Sequence, residues 1–233
     1  MDRAVGGVPA HGSAWEVWRY DTSITLLGAL IERATGQGMD EVLARYIFEP
    51  LGMKDTGFTV PPEKFDRFPT CYWKHIQTGE LAVFDPSGAE SFFATMPGFP
   101  DARGGLVSTA DDYLAFAQML LNQGRVGNTE VLSAKSAAAM MTDHIPSDVK
   151  ARSPFSTGFW EKRGWGYQVS IMEKQVPGGP RGVGWDGGYG TCAYWDPRTG
   201  VTAIFLSQRL MESPNHPEIF RKFFDNAYPA AGV

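Results

Sequence analysis

Four stretches of this 233-residue chain carry side chains whose types and spacing could do chemistry. In Trp18-Arg19-Tyr20-Asp21-Thr22 a phenol stands just before a helical pattern. A phenol there can pack as an aromatic or exchange a proton with a reacting group. Ser147-Asp148-Val149-Lys150 has a hydroxyl and an amine three residues apart. On a buried helix start that spacing lets the amine activate the hydroxyl as a nucleophile. Here the match follows Pro146, runs into Ala151-Arg152-Ser153-Pro154 and has no apolar face. With thirteen serines in the chain a single chance match is unsurprising, and this stretch reads as an exposed loop. Gly182-Val183-Gly184-Trp185-Asp186-Gly187 fits G-x-G-x-x-G. Dinucleotide binding would need a helix to open at the last glycine and meet the pyrophosphate. A strand pattern follows instead, so the nucleotide reading fails. The same glycines, with Gly188 and Gly190, also suit a tight turn leading into a strand at Thr191.

Other chemistries are excluded by inventory. Two cysteines, Cys71 and Cys192, cannot make a disulfide framework or a four-thiolate zinc site. Four histidines, none paired at i, i+4, give no metal-binding pattern, and no metal or cofactor is expected. There is no G-x-S-x-G elbow, so an α/β-hydrolase nucleophile is absent. Acidic residues outnumber basic ones 26 to 21, for a net charge of -5, which argues against nucleic acid as a partner. No apolar run approaches the ~18 residues of a membrane span. Met1-Asp2-Arg3 leads into no apolar targeting segment, so a cytoplasmic location is expected.

The elements that must position these residues follow from periodicity. The first fifteen residues, with Gly6, Gly7, Pro9 and Gly12, read as loop. Ile24, Leu27, Leu30, Ile31 and Ala34 predict a helix ending at Gly36. A second helix is predicted from Asp40 to Phe48, stopped by Pro50. Residues 58–103 show no sustained period and read as mostly loop. Ser108-Thr109-Ala110-Asp111 reads as a capping box for a helix running to Gly124, and Ser133 as the cap of another through Met141. Trp165 to Met172, Thr191 to Trp195 and Val201 to Leu206 read as strands. Asp196-Pro197-Arg198-Thr199-Gly200 makes the last two a hairpin. A final amphipathic helix starts at Pro217 and carries Ile219, Phe220, Phe223, Phe224 and Ala227. Helices, then an antiparallel meander, then one helix is an α+β order. A single domain over 1–233 is expected, mainly helix and loop over about 14–160, then strands and the last helix over about 161–233.

Taken together, five pieces in order resemble the serine β-lactamase/penicillin-binding-protein-like superfamily, most of all its class C-related carboxylesterase branch. They are Tyr20-Asp21-Thr22 with Ser23 to Gly28, Ile47 to Phe58, Gly104 to Tyr113, Gly184 to Thr191, and Asp196-Pro197 with Gln208-Arg209. The run Phe48-Glu49-Pro50-Leu51-Gly52-Met53-Lys54-Asp55-Thr56-Gly57-Phe58 is the most specific of them. The resemblance implies a β-lactamase/transpeptidase-like fold and a serine acyl-enzyme mechanism on small esters or β-lactam-like amides, without a cofactor. It places Tyr20 at the catalytic base and Thr22 where β-lactamases carry a substrate-holding Asn. It puts Trp185-Asp186-Gly187 at the K-T-G position, with the Gly188 amide as oxyanion donor. Trp185 in place of a carboxylate-binding Lys, and Thr22 in place of Asn, point toward esters. Asp186 would oppose oxyanion charge unless it points away.

The family's S-x-x-K precedes the Tyr motif, yet no Ser with a Lys three residues on lies among the nineteen residues before Tyr20. The chain therefore resembles the last two-thirds of such an enzyme, with the nucleophile and the front of the fold missing. By itself it is expected to be inactive, to expose apolar surface and to be prone to self-association. The alternative is a non-catalytic binding protein on a degenerate fold of this type. Tyr20 is expected to be an ordinary neutral phenol facing the Trp185–Gly188 turn across an open cleft.

Overall fold

The computed structural model describes residues 16–153, 155–213 and 215–233. The opening stretch read as loop, with Gly6, Gly7, Pro9 and Gly12, lies outside the described residues. Helix α1 spans Thr22–Thr35 and ends on Gly36, whose φ of 69° is left-handed and whose N–H bonds the Glu32 carbonyl at 2.8 Å. Only a residue without Cβ closes a helix this way at no steric cost. One side of α1 leaves Leu26, Leu27 and Leu30 exposed, Leu30 by 62%.

Helix α2 (Met39–Leu43) widens into a π-helical turn over Ala44–Phe48 and tightens again into α3 (Glu49–Leu51). The helix thus passes through Pro50 rather than stopping there. A proline has no N–H for the i→i−4 ladder, and a π turn is one way to take up that loss. The true stop is Gly52 at φ 68°, where Met53 N–H reaches back to the Phe48 carbonyl at 2.8 Å.

Residues 58–103 hold short helical turns and one hairpin, β1 (Cys71–Lys74) against β2 (Leu81–Asp85). Helix α4 (Ala110–Leu121) is capped by Thr109, not Ser108. The Thr109 hydroxyl accepts from Asp112 N–H at 3.2 Å, so the cap lies one residue later than the sequence pattern suggests. A second small hairpin, β3 (Arg125–Val126) with β4 (Thr129–Glu130), leads to α5 (Ala134–Met140). The Ser133 cap is observed, accepting from Ser136 N–H at 3.1 Å.

Ser147–Arg152 is a short helix, α6, not an exposed loop. Two anchors hold it. Val149 is buried, and the Lys150 ammonium lies 2.5 Å from Asp143 and 3.0 Å from Glu173. The sequence shows no apolar face here because one buried valine and an ion cluster take its place.

The remaining strands form one antiparallel sheet in chain order: β5 (Arg163–Trp165), β6 (Ser170–Met172), β7 (Val183–Gly187), β8 (Thr191–Trp195) and β9 (Thr202–Phe205). The stretch Trp165 to Met172, expected as one strand, folds into two. Gly166 N–H bonds the Val169 carbonyl at 2.8 Å and Gln168 takes φ 62°, which reverses the chain. The G-x-G-x-x-G stretch is strand β7 itself, with no helix after it. Gly184 is there for contact: a Cβ would lie 2.0 Å from the Ala193 carbonyl oxygen on β8. The β8–β9 hairpin forms as expected, its turn held by buried Asp196, which accepts from Arg198 N–H at 3.0 Å.

Side chains on a strand alternate between faces, and the two faces of this sheet meet different helices. Val183 and Trp195 pack with Leu51, Ala117, Met119 and Leu120 of the helical region. On the other face Cys192, Tyr194 and Ala203 pack under the final helix, α7 (Glu218–Ala230), against Phe220, Phe224 and Tyr228. Burying each of these large side chains contributes roughly 1.5–3 kcal/mol. The order is α+β, and among the described residues no helix is long and apolar enough to cross a membrane.

The close approach at Gly184 yields a test. Gly184→Ala should destabilise the protein by at least about 2 kcal/mol, because the methyl meets backbone that cannot yield. Denaturant unfolding checks this; a change within about 0.5 kcal/mol would show that β7 and β8 do not pack this closely.

Candidate active site

Tyr20 enters the site from the turn before α1. Asp21 has φ 90° and ψ −79°, a backbone conformation that sterics disfavour for any residue with a Cβ. It is held by Arg103, which donates to Asp21 at 2.8 Å and to Asp101 at 2.9 Å; Asp101 also accepts from Thr25 of α1 at 2.9 Å. A strained turn persists only where its surroundings over-determine it, and this ion network does so beside the phenol.

From the opposite side of the fold, 165 residues later, β7 brings Trp185. Its indole N–H donates to the Tyr20 hydroxyl oxygen at 2.8 Å. The two side chains therefore meet directly rather than facing each other across a gap, since the indole is long enough to close the distance. Around this bond stand Trp18, Phe155 and Trp165, each with its ring centroid 5.0–6.0 Å from a neighbour in the group. Trp185 lies edge-on to Trp165 at 4.7 Å. Edge-to-face rings at these spacings attract through their quadrupoles, so the cage fixes the phenol and the indole in orientation.

Tyr20 keeps 41% of its surface exposed, and its partial desolvation in the cage raises its pKa above the usual 10; the Trp185 hydrogen bond pulls the other way but is outweighed. Asp21 and Asp186 nearby also oppose a phenolate. Tyr20 is thus a neutral phenol, but not an ordinary one: its proton is held more tightly than in water.

Tyr20, Trp185, Asp186 and Gly188 all line one cleft of about 450 Å³. The Gly188 carbonyl is pinned by Met211 N–H at 2.9 Å, while its own N–H has no acceptor among the described residues. Gly187 lies in the strand opposite Thr191 and is not part of the lining. Thr22 is the exposed first residue of α1 and is not brought to the cleft either.

Asp186 turns away from Tyr20. Its carboxylate accepts from the Tyr194 hydroxyl at 3.2 Å and lies 2.7 Å from His216 Nε2. Arg163 approaches the same group, 3.4 Å from the Tyr194 hydroxyl, with its guanidinium over Phe159 and Trp185. His216, Arg163, Phe155 and Phe159 line the cleft, and no local motif marks any of them. They come from separate segments, and only folding puts them together. Among the described residues no group of three or more His, Cys, Asp or Glu could hold a metal ion.

The electrostatics of the cage are testable. A difference titration of wild type against Tyr20→Phe should place Tyr20 ionisation above 10. Trp185→Phe should raise it further, because the lost N–H donor favoured the phenolate. Ionisation of Tyr20 below about 8, where a phenol serves as a base near neutral pH, would contradict this.

Protein Rv1367c of Mycobacterium tuberculosis is 34% identical over 196 residues, covering 81% of this chain and 48% of that protein. Esterase EstB of Burkholderia gladioli is 27% identical over 231 residues, covering 92% and 55%. Among solved structures, EstCE1, a hydrolase with promiscuous acyltransferase activity, superposes with a TM-score of 0.72 at 22% identity, over 92% of this chain and 58% of that one. The chain thus spans about half the length of the curated relatives it matches. Residues 1–222 match the Beta-lactamase family, and the chain belongs to that family of serine β-lactamase and penicillin-binding-protein-like hydrolases.

Proposed function

We propose that this chain carries the proton-relay and oxyanion side of a serine acyl-transfer site for small carboxylic esters or β-lactam-like amides. The observation that supports it most is the Trp185 N–H to Tyr20 oxygen bond at 2.8 Å, on the same cleft as the Gly188 amide, which has no acceptor among the described residues. In this reading the Gly188 N–H receives the oxyanion of the tetrahedral intermediate. Tyr20, which keeps its proton, acts as a relay: it gives its own phenolic proton to the leaving group and takes the nucleophile's in return. The aromatic cage receives the apolar part of the substrate. Trp185 offers no cation to a substrate carboxylate, which favours esters. Thr22 and Gly187, outside the lining, are given no contact with substrate.

The nucleophile is assigned to none of the serines here. Lys150, in the chain's one S-x-x-K pattern, is tied by Asp143 and Glu173. Both carboxylates favour its protonated form, and its pKa is raised despite the cost of burial. A lysine held as ammonium takes no proton from a serine. The same observation favours a second reading, a binding protein that holds an acyl ligand in the cleft without turning it over.

Labelling by a fluorophosphonate probe tests the assignment. No serine of this chain should label stoichiometrically; losing the nucleophile in such sites typically costs on the order of a million-fold. Stoichiometric labelling of Ser147, or of any other serine, would overturn it.

A further inference from the structure

The cleft holds a second proton-transfer device that the serine mechanism does not use. His216 stands just before α7, its ring lying 5.7 Å from that of Phe220 and 6.2 Å from that of Phe224. Its Nε2 is 2.7 Å from Asp186; in the neutral ring that donates to this carboxylate the proton is on Nε2 and Nδ1 is the acceptor nitrogen. His216 lines the cleft, and among the described residues its Nδ1 makes no hydrogen bond. Asp186 is only 9% exposed and is fixed from its other side by the Tyr194 hydroxyl. The charged and titratable groups facing the imidazole are Asp186 from β7, Tyr194 from β8 and Arg163 from β5, the last 3.5 Å away. A carboxylate behind an imidazole that lines a substrate cleft is the arrangement of a general base.

We propose that His216, oriented by Asp186, is a general base that lets this chain hydrolyse small activated esters slowly with water as the nucleophile. This rests on the reading of the cleft as an ester site. Water attacks the carbonyl carbon; its oxygen forms the new C–O bond, and its proton moves to His216 Nδ1. The carbonyl π electrons move to the oxygen, which the Gly188 N–H receives. The intermediate then collapses, the ester C–O bond breaks, and the leaving alcohol takes the proton back from Nδ1, releasing the acid and restoring the neutral ring. Asp186 touches no substrate; it is a positioning residue that holds the ring through Nε2.

The test is hydrolysis of nitrophenyl butyrate by the 233-residue chain across a pH series, before and after fluorophosphonate treatment. Turnover should saturate with substrate, persist after the treatment and be inhibited by butyrate. His216→Gln keeps an N–H for Asp186 but has no base, and should lower kcat/KM on the order of 100-fold. Asp186→Asn should lower kcat while leaving KM within about twofold of wild type, since it disturbs the orientation of the ring and not the binding of substrate. Thermal unfolding of both variants separates loss of the base from loss of fold. If folded His216→Gln hydrolyses within threefold of wild type, the inference is wrong, whereas the ester reading survives if butyrate still inhibits. A rate that neither saturates nor responds to butyrate would overturn both.

Discussion

Strand β7 has one constraint from which the rest of the site follows: consecutive side chains must leave on opposite faces. Trp185 goes toward the helical region and meets Tyr20; Asp186 goes toward α7 and meets Tyr194 and His216. The strand can keep this position because Gly184, with no side chain, lies against the β8 backbone. Two chemically different half-sites, one aromatic and one ionic, therefore share a cleft at one strand end. The same alternation engages the Asp186 carboxylate with a buried hydroxyl and an imidazole on the α7 side, while its charge still opposes a phenolate at Tyr20.

Packing reinforces this division. The Tyr20 face is built of rings whose edges and faces interlock, with little charge inside, so the phenol keeps its proton. On the α7 face the core of Tyr194, Phe220 and Phe224 is fully buried, and Arg163 stacks over Phe159 and Trp185 to bring a positive charge to the border. The Trp185 indole N–H gives the phenol a directional hydrogen bond without a full charge. The weaker donor leaves desolvation the larger influence on Tyr20.

How far this was legible in the sequence depends on the range over which each feature is determined. Tyr20, Trp185 and Gly188 stood out because they lie in contiguous motifs, and the β8–β9 hairpin because Asp196 to Gly200 is strong turn chemistry. Helices α1, α4 and α7 were plain from apolar spacing. The misses share a cause. Strand β7 has glycines and an aspartate where a strand pattern would show alternating apolar residues; its sequence answers to close backbone approach and to the site. Helix α6 is held by a single valine and an ion cluster from two other segments. The Asp186–His216 pair spans thirty residues and two elements, and no spacing rule reaches that far. Thr22 was drawn in by its place in a motif, but the helix it begins turns it to solvent.

The central claim is that Tyr20 and the Gly188 amide address the same ligand atoms. The most direct measurement is an NMR titration of the chain with butyrate, the carboxylate product of a simple ester, following the Gly188 amide and the Tyr20 ring signals together. The account predicts that both move and saturate with one dissociation constant. Movement of one without the other, or saturation at different butyrate concentrations, would contradict it.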